Sequence, residues 1–254
     1  MKKKILVFVM MIFAGIILFS SGVTSSAAAS ASFYSKARAY GFNISEDYEP
    51  IYMSDFKELE KSYYEKDKLN HTTKVVQVLL RNKYDPSIWC FIYRVCTSPL
   101  QVRDNGFMGI GSNGDDWYTR KIKTTIQFRD SSYEIINFAP QNKPSTTSGT
   151  IGVGLDSNGP SISASVDYNH SELSIVSNTK TALYKYETIY NYSSSIYNTS
   201  SYLKGDIYAY GMVMFKHEGV VWIDVEHEIG YFGYWWYGYN ESSDACMVRF
   251  KNTY

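Results

Sequence analysis

Three carboxylates alternate with apolar residues in the predicted strand 221–229. Asp224, Glu226 and Glu228 would share one face, because successive strand residues point to opposite faces. Alternate strand positions lie about 6–7 Å apart, near the spacing of the acid and base in an inverting glycosidase. Such a stripe could also bind Ca²⁺, although a solvated strand face is its more common origin. His227 falls on the apolar face and is expected to be a hydrogen-bonded core residue.

An aromatic run follows directly, from Tyr231 to Tyr239. Exposed Tyr and Trp side chains can stack on sugar rings or anchor a partner, so this run predicts a ligand-binding face. A buried core strand with one wet aromatic face is the competing interpretation. The candidate ligand-binding residues are Tyr234, Trp235, Trp236, Tyr237 and Tyr239.

A glycine- and serine-rich hairpin is predicted over residues 149–168, with its turn at Asn158-Gly159-Pro160. Apolar residues alternate with small polar ones on both arms, which is the pattern of a membrane-crossing strand. The candidate membrane-inserting residues are Ile151, Val153, Leu155, Ile162, Ala164 and Val166. The arms look short for a bilayer, and Asp156 and Asp167 lie close to them. A tight hairpin in a soluble sandwich is therefore favoured over insertion.

The same block resembles a hairpin of poorly characterised secreted β-rich proteins of Gram-positive bacteria and archaea. The likeness is carried by the pattern G-x-x-x-x-G-P-S-x-S-A-S, which begins at Gly154, and it extends over residues 149–178. The resemblance implies secretion and β structure. It supplies no catalytic residues.

The N-terminus has the layout of a secretory signal peptide. Lys2, Lys3 and Lys4 precede an uncharged run from Ile5 to Phe19, and small residues follow up to Ala31. Cleavage is expected near Ala29 or Ala31. Removing residues 1–31 leaves 22 basic and 25 acidic residues, a net charge of −3, which gives no basic surface for nucleic acid.

The cysteines and histidines suggest neither a metal site nor a redox centre. Cys90 and Cys96 lie in one predicted strand and are too far apart to bridge if it is continuous. Cys246 could pair with either, and three buried free thiols are an equal alternative. The four histidines are scattered, and no nucleophile, zinc or phosphate-loop motif is present. We expect no cofactor and no metal, and an enzymatic activity is not favoured.

The coarse organisation is mainly β. One amphipathic helix is predicted over 54–69, with Ser54 as its cap, and β strands follow from residue 72. Strand 118–129 places Ile122, Thr124, Ile126 and Phe128 on one face. Residues 140–148 are predicted to be a linker or long loop between a part at 32–139 and a C-terminal β region at 149–254, which could equally form one domain. The predicted fold class is an antiparallel sandwich or barrel-like sheet with one N-terminal helix.

Three functions agree with these features. The leading interpretation is a secreted binding protein for an extracellular ligand such as a glycan or a cell-surface component. The second is a pore-forming or membrane-active protein that uses the 149–168 hairpin. The third is a secreted glycan-directed hydrolase that uses Asp224, Glu226 or Glu228.

Overall fold

The computed structural model describes residues 31–51, 57–65, 69–100, 116–146, 149–151, 154–156, 159–161, 166–168, 173–192, 201–237 and 240–253. The predicted signal peptide lies outside these ranges, apart from Ala31. Helix α1 covers 31–39, and 3₁₀ turns occur at Thr181–Leu183 and Ser201–Lys204. No helix in the described ranges is long and apolar enough to cross a membrane. The strands are β1 (Asn43–Ile44), β2 (Tyr48–Pro50), β3 (Lys57–Glu65), β4 (Leu69–Asn82), β5 (Ile88–Leu100), β6 (Asp116–Phe128), β7 (Glu134–Ala139), β8 (Lys143–Thr146), β9 (Gly149–Ile151), β10 (Gly154–Asp156), β11 (Gly159–Ser161), β12 (Val166–Tyr168), β13 (Leu173–Ser177), β14 (Lys185–Asn191), β15 (Ile207–Lys216), β16 (Ile223–Tyr237) and β17 (Asn240–Thr253).

Two antiparallel sheets pack face to face, which confirms the predicted fold class. The front sheet has the order β17-β16-β6-β14-β13-β8. The back sheet has the order β2-β4-β5-β15-β7, with β3 also paired to β4. Both sheets draw strands from both sides of the predicted linker at 140–148, and that linker itself contains β8.

The alternation of apolar and polar residues in β6 decides which of its side chains face the core. In β6 the predicted division of faces is confirmed, because one set of alternate residues is buried and the other is partly or fully exposed. The buried set is Ile122, Thr124, Ile126 and Phe128, and the outward set is Lys121, Lys123, Thr125 and Gln127.

The back sheet is buried on both of its faces. Strand β15 is buried at every position from Ala209 to Phe215, so a layer other than the front sheet must cover its second face. The N-terminal segment 31–51 supplies part of this cover. Its Phe42 ring lies 6.1 Å from the ring of Tyr210, and the Tyr34 hydroxyl donates a hydrogen bond to the carbonyl oxygen of Tyr48 at 2.6 Å.

The predicted helix over 54–69 is wrong. Residues 57–65 form β3, which pairs antiparallel with β4 from Lys57 opposite Gln77 to Glu65 opposite Leu69. The helical spacing of its apolar residues was overridden by pairing with a sheet edge. The charged composition of β3 suits an edge strand, because charge discourages pairing with further chains. The N-terminal helix lies earlier, at 31–39.

Two of the three cysteines are free thiols. Cys90 is buried and Cys96 is half-buried. Both lie on the continuous strand β5, so they are too far apart to form a disulfide, as predicted. Burial raises the pKa of both thiols, which keeps them protonated. Cys246 lies opposite Tyr231 in the front sheet, and neither free thiol is bonded to it.

We predict that Gly211→Ala destabilises the protein. A Cβ atom at residue 211 would lie 2.2 Å from the hydroxyl oxygen and ring of Tyr93, whose side chain is fully buried. Overpacking of this kind costs about 1–3 kcal/mol or more. The free energy of unfolding, measured in urea, is expected to fall by that amount.

Gly230→Ala is the matched control for this strand substitution. Its new Cβ would meet its nearest neighbour, the Cβ of Lys121, at 3.7 Å, which is ordinary contact. Equal stability of Gly211→Ala and Gly230→Ala would contradict the close approach of Tyr93 to β15.

Candidate functional site

The described strands within 143–177 form three antiparallel pairs, which are nested one inside the next along the sequence and are called the hairpin here. The outer pair is β8 with β13, where Thr146 lies opposite Leu173. The middle pair is β9 with β12, where Ile151 lies opposite Val166. The inner pair is β10 with β11, where Asp156 lies opposite Gly159. All three pairs are antiparallel, and each joins a strand before the tip to a strand after it.

The three pairs belong to three different sheets. The outer pair forms an edge of the front sheet, the middle pair stands alone, and the inner pair joins β1 in a separate three-stranded sheet. Strand β11 lies against β7 and β15 of the back sheet. The hairpin therefore begins in one sheet of the sandwich and ends against the other.

The N-terminal segment holds the tip of this hairpin. Strand β1 runs parallel to β10, with Asn43 opposite Gly154 and Ile44 opposite Leu155. The backbone N–H of Ser45 also donates a hydrogen bond to the carbonyl oxygen of Leu155 at 2.7 Å. The Leu155 side chain is 2% exposed and belongs to the main apolar core. The tip thus completes the cover over the back sheet.

The structure brings some of the candidate membrane-inserting residues together. Ile151 and Val166 lie directly opposite each other, so they share one face of the ladder as the alternation predicts. Leu155 is buried, as described above. Val153, Ile162 and Ala164 lie outside the described residues.

Sequence reasoning missed the outer part of the hairpin, β8 with β13. The residues of β8, Lys-Pro-Ser-Thr, are polar and proline-containing and were interpreted as a linker. The available signal was a change of phase. On the returning arm Ile162, Ala164, Val166 and Tyr168 occupy even positions, whereas the buried residues Leu173 and Ile175 occupy odd ones, and the register of the ladder shifts in the same region.

The three candidate catalytic carboxylates lie on the outer face of the front sheet. Asp224 is exposed, whereas Glu226 and Glu228 are partly exposed. Glu228 forms an ion pair with Lys121 at 3.5 Å. In the next strand, Lys251 lies opposite Glu226 and Arg249 lies opposite Glu228. By register, Glu226 and Glu228 therefore each lie opposite a basic residue, whereas Asp224 lies opposite Thr253.

The same face carries a second group of charges on β14. The carboxylate of Glu187 lies 2.7 Å from the Lys185 ammonium and 3.4 Å from that of Lys123. Burial opposes ionisation of Glu187, but the hydrogen bond from Lys185, with Asn178 and Lys123, holds its pKa below the usual value. Among the described residues no three His, Cys, Asp or Glu side chains converge on a metal-sized site. This face resembles a solvated, charge-paired surface more than a cleft.

His227 is a core residue that joins the two sheets, which confirms its predicted role. Its Nε2 lies 2.7 Å from Nε2 of Gln77 in the back sheet, and its Nδ1 lies 2.8 Å from Oγ1 of Thr124. The Gln77 amide donates to Nε2, and Nδ1–H donates to the Thr124 hydroxyl, so the ring is neutral. Burial lowers the pKa of His227 to about 3.

The aromatic run begins in the core. Tyr231 is 2% exposed, and its hydroxyl group hydrogen-bonds Thr97 and, at 3.1 Å, Thr73. Phe232 is 8% exposed. The run continues along β16 between β6 and β17. The side chains of the candidates Tyr234, Trp235, Trp236 and Tyr237 lie outside the described part of the structure, as does residue Tyr239, so their role in binding stays a prediction.

Comparison with known proteins gave structural neighbours only. No family model and no curated protein matches the chain. The structure is similar to a solved "Pore forming protein", with 9% identity and a TM-score of 0.40 over 78% of this chain and 89% of that one. It is also similar to the NetB toxin of Clostridium perfringens in its membrane-inserted form, with 7% identity and a TM-score of 0.36 over 78% of this chain and 94% of that one.

We predict that His227 makes the protein sensitive to acid. Its pKa is about 3 in the folded state and 6.5 in the reference state, so the unfolded chain binds the proton more readily. The resulting stabilisation is complete above pH 6.5 and is lost as the pH falls towards 3. One pKa unit corresponds to about 1.4 kcal/mol, so the loss is on the order of 4–5 kcal/mol.

The measurement compares wild type with His227→Gln in urea titrations at successive pH values. The variant is expected to be less stable at pH 7, and its free energy of unfolding should fall less steeply between pH 6.5 and 4. All other titrating groups are shared by the two proteins. Identical slopes would contradict the assignment of a neutral, buried His227.

Proposed function

We propose that this chain is a secreted membrane-active protein whose segment 149–168 leaves the back sheet, straightens and inserts into a bilayer as a β-hairpin. The observation that carries the proposal is the nested ladder, in which Ile151 already lies opposite Val166. Both similar structures reported above are of pore-forming proteins, but the proposal stands on the ladder of this chain.

The register of the middle pair sorts the whole segment into two faces if it is extended to the tip. Apolar residues then meet apolar residues, and small polar residues meet small polar residues, as a lipid-facing and a water-facing row require. The apolar pairs are Ile151 with Val166, Val153 with Ala164 and Leu155 with Ile162. The polar pairs are Thr150 with Asp167, Gly152 with Ser165 and Gly154 with Ser163.

The same extended register supplies a favoured turn. It leaves Asn158 and Gly159 as a two-residue loop, and Asn-Gly is the preferred pair for a tight hairpin turn. In the folded protein the tip has a different register, with Leu155 opposite Pro160 and Asp156 opposite Gly159. Straightening therefore includes a slip of two residues at the tip. A slip of two keeps every residue on its own face, whereas a slip of one would exchange the faces.

The length of the segment fits the hydrocarbon layer. In the extended register the two arms are 149–157 and 160–168, nine residues each, against the ~9–11 that a tilted transmembrane strand needs. The sequence analysis found the arms short for a bilayer. The pairing of β8 with β13 lengthens the hairpin at the end that joins the sandwich, which weakens this objection. The residues of β8 are polar and suit the water next to the membrane, whereas Leu173 and Ile175 of β13 are buried in the core of the body.

One hairpin cannot cross a bilayer alone, because its two edges would expose unpaired backbone groups to lipid. Insertion therefore requires several copies of the chain, each contributing two strands to a closed ring. The partners in this proposal are a lipid bilayer and further copies of the same chain. The sequence interpretation as a soluble hairpin describes the state before release.

We predict that Ile151→Asp abolishes dye release from liposomes. The wild-type protein is expected to release the dye, and the substitution places a charge in the row that faces lipid, where a carboxylate is costly. Thr150→Asp is the matched control, because residue 150 belongs to the water-facing row, already opposite Asp167. Absence of release by wild type over a range of lipids and pH, or equal effects of the two variants, would contradict the proposed function.

We predict that a disulfide between β1 and β10 prevents dye release until it is reduced. Asn43 and Gly154 are directly paired neighbours, so Asn43→Cys with Gly154→Cys satisfies the Cα separation that a disulfide needs. The oxidised double variant should release no dye, and a reductant should restore release to the wild-type level.

The two single-cysteine variants are the controls for this cross-link, because they keep the substitutions and lack the bond. They are expected to release dye with or without reductant. Full release by the oxidised double variant would show that the tip of the hairpin stays on the back sheet during membrane attack.

A further inference from the structure

Two turns at one end of the sandwich meet at His217. The β6–β7 turn covers 129–133 and the β15–β16 turn covers 217–222. Each turn leads the chain from one sheet to the other, because β6 and β16 belong to the front sheet and β7 and β15 to the back sheet. The backbone N–H of His217 donates to the carbonyl oxygen of Ser87 at 2.9 Å, and its carbonyl oxygen accepts a hydrogen bond from the Trp89 indole N–H at 3.0 Å. The imidazole ring is therefore attached to a fixed point of the main chain.

Both ring nitrogens of His217 contact an oxygen atom, one in each turn. Nε2 lies 3.0 Å from the carbonyl oxygen of Val220, and Nδ1 lies 3.1 Å from the hydroxyl oxygen of Ser132. The ring also stacks on the buried Tyr133 ring, with centroids 4.0 Å apart and planes within 6°. A carbonyl oxygen can only accept a hydrogen bond, so Nε2 must carry a proton.

The hydroxyl proton of Ser132 is already used within its own turn. The hydroxyl group and the backbone N–H of Ser132 both donate to the Asp130 carboxylate, at 2.6 Å and 2.9 Å. These hydrogen bonds lower the pKa of Asp130, so the acceptor is ionised at neutral pH. A hydroxyl group has one proton, so Ser132 can only accept from His217, and Nδ1 must donate. All three hydrogen bonds are satisfied together only when both nitrogens of the His217 ring are protonated.

The surroundings of His217 favour a positive ring. In the described part of the chain, the charged groups of the adjoining elements are mostly acidic. The acids are Asp130, Glu134 and Glu218, with Asp85 beside Lys216, and the bases are Lys216 and Arg129. A positive ring is also attracted to the face of the Tyr133 ring on which it stacks. Charge and stacking therefore agree with the count of hydrogen-bond donors.

We propose that protonation of His217 closes a clip between the β6–β7 and β15–β16 turns, and that loss of this proton weakens the clip. The neutral ring keeps its proton on Nε2 and gives the Nδ1 proton to water. The hydroxyl proton of Ser132 then serves either the Asp130 carboxylate or Nδ1, so one of the three hydrogen bonds is lost. We refer to this arrangement as the His217 clip.

The His217 clip makes this end of the sandwich sensitive to pH in the range where imidazole groups change their charge. Its stabilisation is complete at acid pH and is lost as the pH rises. The buried His227 acts with the opposite sign, because its stabilisation is lost as the pH falls. Trp222 belongs to the same contact, since its backbone N–H donates to the hydroxyl oxygen of Tyr133 at 2.7 Å. The clip thus ties the residue before β16 to the β6–β7 turn.

The test is amide hydrogen exchange of the mature protein, followed by NMR at about pH 5.5 and about pH 8, on either side of the imidazole range. The protection factors of the Ser132 and Trp222 amides, corrected for the intrinsic effect of pH, are expected to fall about two- to tenfold over this interval, the effect of one hydrogen bond. Signals from both ring N–H groups of His217 should be present at the lower pH. The Tyr184 amide, which donates to the carbonyl oxygen of Thr181 at 3.0 Å in a turn without histidine, is the control and should keep its protection.

Two variants separate the clip from a general effect of charge. His217→Phe keeps a ring that can stack on Tyr133 and removes both N–H donors, whereas Ser132→Ala keeps the titrating ring and removes its acceptor. Both are expected to abolish the pH dependence at the Trp222 amide. Constant protection in wild type, an equal change at Tyr184, or an undiminished change in either variant would overturn the proposal. No residue of the clip lies within 143–177, so the outcome does not depend on dye release.

Discussion

The back sheet must be covered on two faces, and the rest of the structure follows from this constraint. A strand buried on both sides, as β15 is from Ala209 to Phe215, needs one apolar layer above it and another below. The front sheet provides the first layer. The second is assembled from two separate pieces of chain, the N-terminal segment and the hairpin tip, which pair with each other through β1 and β10. The tip therefore contributes to the fold by its burial against the sheet, and its position depends on the N-terminal segment.

The interface between the sheets is joined by tyrosine hydroxyl groups as well as by apolar contact. Front-sheet tyrosines reach across to the other layer: the hydroxyl of Tyr190 donates to the carbonyl oxygen of Tyr210 at 2.6 Å, and that of Tyr186 donates to the carbonyl oxygen of Ala139 at 3.0 Å. Each buried ring thus satisfies its polar end on the backbone of the opposite sheet. Tyrosine is abundant in this chain, with 24 residues, and it suits wet, half-buried sheet faces as well as cores. Many of the tyrosines in the described part of the chain are fully buried. Composition alone does not separate the two uses, because both need an apolar ring and a hydrogen-bonded tip.

Local alternation predicted what depends on a single strand and its immediate neighbours. The buried face of β6 could be inferred because a period of two is visible in the residues themselves. The register that sets Ile151 opposite Val166 could not, because alternation assigns a residue to a face and does not choose its partner. The helix over 54–69 could not be corrected in that way, because β3 is a strand only by pairing with β4. The pairing of β8 with β13 was missed for a similar reason, since the polar residues of β8 carry no apolar pattern.

The alternation of the hairpin suits two environments, which makes the segment a two-state element in the proposed function. In the folded protein, burying a side chain such as Leu155 contributes about 1.5–3 kcal/mol, and the two-residue pairing with β1 adds a few hydrogen bonds. An outer element with such limited attachment is expected to open at a lower free energy than the interior strands. Opening also uncovers the second face of the back sheet, and that exposed area raises the cost of release in water. The equilibrium between the packed and the released hairpin therefore depends on the whole layer that covers the back sheet. Changes in α1 or β1 should shift this equilibrium as effectively as changes in the hairpin. A bilayer and neighbouring copies of the chain favour the released hairpin only if they bury as much apolar surface as the back sheet exposes.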